Sequence, residues 1–260
     1  LAALPSEQVH LMYIDTGLMR RGETAEVRAL LEKLGARHLH IVDASSLFLA
    51  TLKGIRDPEE KRRRIGDLFI EVQEREIARS GAAGDYLAQG TLYTDLIESG
   101  KGVGGKAELI KSHHNVRSPL VERKRERDLL LEPLANLYKD EVRELSRRLG
   151  LPEEAVRRHP FPGPGLAVRI IGAVTPEKCR VLRAADAIYI DELKRRDLYD
   201  RIWQAFCVLL PIRSVGVAGD TRKYGYVLAL RAVVSRDGMT ADVFPFPAKD
   251  LLEIAAKITN

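Results

Sequence analysis

Asp95 and Glu98 stand three positions apart in Gln89-Gly90-Thr91-Leu92-Tyr93-Thr94-Asp95-Leu96-Ile97-Glu98-Ser99. On a helical turn that spacing puts both carboxylates on one face. There they could hold Mg2+ between phosphate oxygens, although an isolated pair is equally a solvated acidic face. Lys111-Ser112-His113-His114-Asn115 packs a cation, two imidazoles and an amide together. That composition suits a loop gripping an anion or moving protons, and zinc would need further ligands that the sequence does not place. Lys139 heads a helix that begins Lys139-Asp140-Glu141. A cation there opposes the helix dipole, which marks it as a possible phosphate ligand. His159-Pro160-Phe161-Pro162-Gly163-Pro164-Gly165 is a stiff stretch with glycine amides. It is a linker that could also form a ligand wall, since glycine lets a planar or anionic group approach the main chain.

The elements around these residues read as an alternating layer followed by a different unit. Val9–Ile14 and His38–Val42 are short apolar strands. Between them a helix carries Val27, Leu30, Leu31 and Leu34 on one face and stops at Gly35. Ile65, Leu68, Phe69 and Val72 mark another helix, and Tyr86–Ala88 leads into Gln89. The β-α-β-α-β rhythm predicts α/β architecture with a parallel sheet flanked by helices. Ligands in such sheets sit beyond the carboxyl ends of strands, here Asp15-Thr16-Gly17, Asp43-Ala44-Ser45 and Gln89-Gly90-Thr91. Gly100–Lys106 lacks the spacing of a phosphate-binding loop and reads as a mobile loop. The helix begun at Lys139 turns Val142, Leu145 and Leu149 inward.

Beyond Gly165 a smaller α+β unit is expected. Leu166–Ile171 reads as a strand, and Thr175-Pro176 as an N-cap followed by proline at the first helical position. That helix carries Leu182, Ala185, Tyr189 and Leu193. A second helix is expected over Ile202, Ala205, Phe206 and Leu209, stopped by Pro211. Two strands follow, Ser214–Ala218 and Tyr226–Val234, joined by a turn over Asp220–Gly225, and a last helix begins near Leu251.

The 260 residues are 45% hydrophobic and 30% charged, as in ordinary globular proteins. No apolar run approaches the roughly 20 residues of a bilayer crossing. Cys179 and Cys207 are the only cysteines, which suits a reducing, cytoplasmic compartment. A net charge of +5 suits anionic small ligands such as nucleotides. The charge-dense run Arg117–Asp128 reads as a solvated face. It lacks the interleaved aromatics that stack nucleic-acid bases.

Five of these stretches in order, with Asp15-Thr16-Gly17-Leu18-Met19-Arg20 first and His159–Gly165 last, resemble the glutamine-hydrolysing GMP synthetases. Arg213–Val217 and Asp220–Tyr224 extend the resemblance over essentially the whole chain. It implies an ATP-pyrophosphatase domain of the adenine nucleotide alpha hydrolase type over residues 1–158 and a dimerisation domain over 159–260. It also implies a ligase that adenylates XMP with ATP and Mg2+, then aminates it with ammonia from glutamine to give GMP. Lys139 would grip pyrophosphate, and Asp95 and Glu98 would serve the metal and adenylation centre. Lys111, His113, His114 and Asn115 would lie on a lid. Asp15, Thr16, Gly17, Gln89, Gly90 and Thr91 would lie at ATP, and Pro162, Gly163, Pro164, Asn115 and Gln204 at XMP. A phosphate loop and an amidotransferase domain are implied ahead of Leu1, and a further XMP-binding segment beyond Asn260. After Asn115 the family continues with a glycine pair, whereas Val116-Arg117-Ser118-Pro119 follows here. Two other readings compete: a different ATP-pyrophosphatase, such as an NAD synthetase or tRNA-modifying adenylase, and a basic nucleic-acid-binding module.

Overall fold

The computed structural model describes residues 4–81, 85–96, 119–218, 221–235 and 241–259. The chain forms two compact units, Leu1–Arg62 with His159–Asn260, and Arg63–Arg158. Each is taken by itself.

The chain starts with strand β1 (His10–Asp15), helix α1 (Glu23–Lys33), strand β2 (His38–Asp43) and helix α2 (Ser45–Thr51). Helix α3 (Pro58–Ser80) leaves the first unit at Arg62. β1 and β2 pair in parallel with Asp15 opposite Asp43, so two strand-end loops open on the same edge. Gly22 in the left-handed region starts α1, and Gly35 (φ 86°) follows its end as the spacing predicts.

The second unit holds most of α3, then β3 (Leu87–Ala88), α4 (Tyr93–Leu96), α5 (Pro119–Glu126), β4 (Leu130–Leu131), α6 (Lys139–Arg148) and α7 (Glu153–Val156). Ile65, Leu68 and Val72 of α3 are buried at the expected helical spacing. β3 and β4 pair in parallel. Within the run expected to be a solvated face, Pro119–Glu126 forms helix α5, and its Lys124 is instead buried with its ammonium on the carbonyl of Asp85. α6 begins at Lys139, but Leu149 is 70% exposed rather than inward, because α6 ends one residue before it.

The chain re-enters the first unit at His159. The strand expected over Leu166–Ile171 is instead a 3-10 turn, Gly165–Arg169. Gly165 takes a positive φ of 58°, and the amides of Gly165 and Ala167 bond back to the carbonyls of Pro162 and Pro164. A curled start of this kind cannot join a ladder, and only Ile170 bridges to Leu209. Helix α8 (Pro176–Arg195) is capped as expected: the Thr175 hydroxyl accepts the Lys178 amide at 3.2 Å. Its Leu182, Ala185, Tyr189 and Leu193 are buried.

The helix expected over Ile202–Leu209 is strand β5 (Gln204–Ala218). Ala205, Cys207 and Leu209 are buried in alternation, a period of two that the helical spacing of 202, 205, 206 and 209 mimics. β5 pairs antiparallel with β6 (Thr221–Val234), with an irregularity at Leu209/Arg213 beside Pro211. The strand already includes Thr221–Gly225, so the expected turn is shorter. β7 (Asp242–Val243) extends the sheet, and α9 (Ala248–Thr259) closes the described chain. Ile254 of α9 is buried, and Arg196, which caps the end of α8, pairs with Asp250 and Glu253. Hydrogen bonds from Arg195 and Lys257 hold the Glu192 carboxyl down to about 2, which ties the two helices further. The architecture is α/β, with parallel strand pairs and an antiparallel C-terminal sheet. Among the described residues no helix is long and apolar enough to cross a membrane.

Candidate functional site

In the first unit, the loop leaving β1 is organised by its own side chains. The Asp15 carboxylate accepts the Gly17 amide at 2.8 Å and the Thr24 hydroxyl at 2.6 Å. Thr16 is buried, and its hydroxyl accepts the Leu18 amide at 3.4 Å. Gly17 has φ 71°, and a Cβ there would come within 2.7 Å of the Ser45 Cβ. Arg183 of α8 donates to the carbonyls of Gly17 and Met19 at 2.6 and 2.9 Å, which fixes the loop from behind.

The proline-glycine stretch is locked to this loop. The Leu166 amide donates to the Leu18 carbonyl at 2.8 Å. A Cβ on Gly165 would stand 2.4 Å from that same carbonyl oxygen, so only glycine fits. At the other end, His159 is buried and stacked on Tyr199 with ring centroids 3.8 Å apart. Its Nδ1 accepts the Ala205 amide, so Nε2 carries the proton and donates to the Tyr199 carbonyl at 2.9 Å. Gln204 donates to the Pro160 carbonyl at 3.1 Å. Between these anchors Gly163 is exposed, and a Cβ on it would meet nothing within 4 Å. The structure thus ties the end of the proline-glycine stretch, at Gly165 and Leu166, to Leu18 just after Asp15–Gly17, and leaves Gly163 exposed.

Lys61 is a buried charged residue near this loop that the sequence pattern did not single out. It is 1% exposed, and its ammonium donates to the carbonyls of Ala167 and Ile170 at 3.1 and 2.7 Å. Burial, then the charge of Lys178, pulls its amine down to about 8. The unfolded lysine, at its ordinary value of 10.5, therefore binds more protons between pH 8 and 10.5. Burying this cation costs stability most fully below pH 8, and the cost fades as pH rises through that window. The stability difference between the parent and Lys61→Met should move by about 2 kcal/mol in the parent's favour from pH 7.5 to 9.5. Urea unfolding at the two pH values checks this; a constant difference contradicts it.

The second unit gathers another group of the expected residues. The Gln89 amide bonds to the Leu131 carbonyl at 2.9 Å, continuing the β3–β4 pairing, and Gly90 beyond it is exposed. Thr91 is buried, with its hydroxyl donating to Glu132 at 2.7 Å. Asp95 lies in α4, where its carboxylate accepts the Leu92 amide at 2.9 Å. Lys139 is the first residue of α6, and the Glu141 carboxylate accepts the Tyr138 amide at 2.7 Å, closing the helix start. Partial desolvation and the neighbouring Arg143 pull the Lys139 ammonium below the usual lysine value, while Asp95 acts the other way. Its side chain still reaches solvent. The expected cation and the expected carboxylate therefore share one electrostatic neighbourhood.

Glu98, Lys111, His113, His114 and Asn115 lie outside the described residues. Among the described residues no group of three His, Cys, Asp or Glu side chains forms a metal site. Mg2+ usually binds through one or two carboxylates and completes its shell with substrate phosphates and water. A single described carboxylate, Asp95, in the electrostatic neighbourhood of Lys139 is compatible with that donor pattern.

Residues 191–260 match the family described as GMP synthase C terminal domain. Proteins named GMP synthase [glutamine-hydrolyzing] are similar along nearly the whole chain. The one from Zymomonas mobilis subsp. mobilis is 53% identical over 98% of this chain and 48% of its own length. That from Bdellovibrio bacteriovorus is 52% identical over 99% of this chain and 50% of its own. That from a Wolbachia sp. of Brugia malayi is 56% identical over 94% of this chain and 45% of its own. The chain spans about half the length of the curated relatives it matches, and along that portion it is similar to glutamine-hydrolysing GMP synthases.

Proposed function

We propose that this chain is the part of a cytoplasmic GMP synthase that activates XMP and converts it to GMP. XMP O2 attacks the α-phosphate of ATP, forming a new O–P bond as the bond to pyrophosphate breaks. Ammonia then adds at C2 and loses a proton, and AMP departs with the former O2. What carries the reading is the 52–56% identity to proteins of that name across nearly all of this chain.

The family resemblance assigns roles to particular groups, and the surroundings of Lys139 and Asp95 suit theirs. Lys139 neutralises charge developing on the departing pyrophosphate. Asp95, with Glu98, offers carboxylate to Mg2+, which when bound would supply further neutralising charge at the phosphates. By the family resemblance, Asp15–Gly17 of the first unit and Gln89–Thr91 of the second are each assigned to ATP, and Lys111, His113 and His114 to the reactive phosphate. Pro162, Gly163 and Pro164, with Asn115 and Gln204, form the XMP side. In this reading 1–158 is the pyrophosphatase-type domain and 159–260 the dimerisation domain. The exposed Ile212, Val215 and Tyr224 on the long β5–β6 hairpin offer apolar surface to a second copy. The amidotransferase that supplies ammonia from glutamine lies outside this chain.

The test is pyrophosphate release from ATP by the full-length protein. It should require XMP, and GMP should appear only when ammonium or glutamine is added.

A further inference from the structure

Arg169 is 1% exposed, the largest fully buried side chain described. Its guanidinium carbon lies 4.6 Å from the centroid of Phe161 and 4.2 Å from that of Phe206. Arg20, at the end of the β1 loop, lies 4.7 Å from the same Phe161 ring. Both cations converge on one buried carboxylate, Asp186 of α8: Arg169 Nη1 at 3.4 Å and Arg20 Nε at 3.7 Å. Asp186 also accepts the Cys207 amide at 2.9 Å, which fixes it to β5. Phe161 sits between Pro160 and Pro162, so its ring is the aromatic handle next to Pro162–Pro164 on the proline-glycine stretch.

This cluster is expensive to bury. A carboxylate shared by two arginines leaves donor capacity unused, and Nε and Nη2 of both arginines lack hydrogen-bond partners. A plain apolar core would stabilise the fold as well. The arrangement does something an apolar core cannot: it grips Phe161 from two cations that are themselves anchored to the β1 loop and to the sheet.

We propose that Arg169 is a positioning residue. Through Phe161 and Asp186 it holds the Pro162–Pro164 backbone in register with the Gly17–Arg20 loop, and so sets the shape of the XMP side. The kinetic part of this rests on the GMP synthase reading.

The test uses Phe161→Leu and Phe161→Tyr in the full-length protein, because removing Arg169 would strand the buried Asp186 and could unfold the chain. Phe161→Leu removes the π face from both cations. Two cation–π contacts weakened together should raise the Michaelis constant for XMP about tenfold. The constant for ATP should stay within about twofold, and Phe161→Tyr, which keeps the face, should restore the parent value. The Leu166 amide, bonded to Leu18, should exchange hydrogen faster in the leucine variant and not in the tyrosine variant. Equal rises in both constants, or unchanged constants and exchange, overturn the proposal. If pyrophosphate release in the parent ignores XMP, the functional reading fails; Leu166 exchange then still decides whether Phe161 and its arginines hold the stretch.

Discussion

Lys139→Ala should lower the rate of XMP-dependent pyrophosphate release about 10²–10³-fold, the usual cost of losing one preorganised charge-stabilising donor. The fold itself should survive. Lys139 reaches solvent, and the start of α6 is closed by Tyr138 and Glu141 rather than by the lysine. Unfavourable placement of a cation at a helix N-terminus even predicts a small gain in stability on its removal. Partial desolvation and Arg143 lower its ammonium, and Asp95 acts the other way. Steady-state kinetics with thermal unfolding of the same variant separate the outcomes. A large rate loss at unchanged stability supports the role; an unchanged rate returns Lys139 to an ordinary surface lysine.

Gly165→Ala should destabilise the protein by about 2–5 kcal/mol, from a left-handed non-glycine residue and from overpacking. The new Cβ would press into the Leu18 carbonyl, a backbone atom that cannot swing aside. Relief requires breaking the Leu166–Leu18 hydrogen bond, the direct tie between the β1 loop and the proline-glycine stretch. XMP affinity should therefore fall more than ATP affinity. Gly163→Ala is the matched control: its Cβ would enter open space, so stability should stay within about 0.5 kcal/mol. Urea unfolding of the pair checks this, and equal stability of the two variants contradicts it.

The sequence made visible whatever follows from local pattern. The strand-end Asp15-Thr16-Gly17, the helix start at Lys139 and the Thr175-Pro176 cap could be read because spacing and turn chemistry determine them. Two elements were misread where tertiary context decides. Ile202–Leu209 satisfies both a helical and an alternating pattern, and pairing with β6 chooses the strand. Leu166–Ile171 looks extended, but Gly165 against Leu18 forces the turn. The buried polar residues left a fainter trace. Lys61 stands four positions before Ile65, on the same helical stripe as Leu68 and Val72. Asp186 falls likewise between Leu182 and Tyr189 on the inner face of α8. A charged residue on an apolar stripe is the signal that finds them. Their partners, the carbonyls of Ala167 and Ile170 and the guanidinium of Arg169, are remote in sequence and carry no mark of the pairing.

The most direct test of the adenylation account is pyrophosphate release from ATP by the full-length protein, measured with XMP present and withheld and without ammonium. The account predicts release with XMP, at most stoichiometric with enzyme or slowed until ammonium is added, and none above background without XMP. Equal release in the presence and absence of XMP would contradict it.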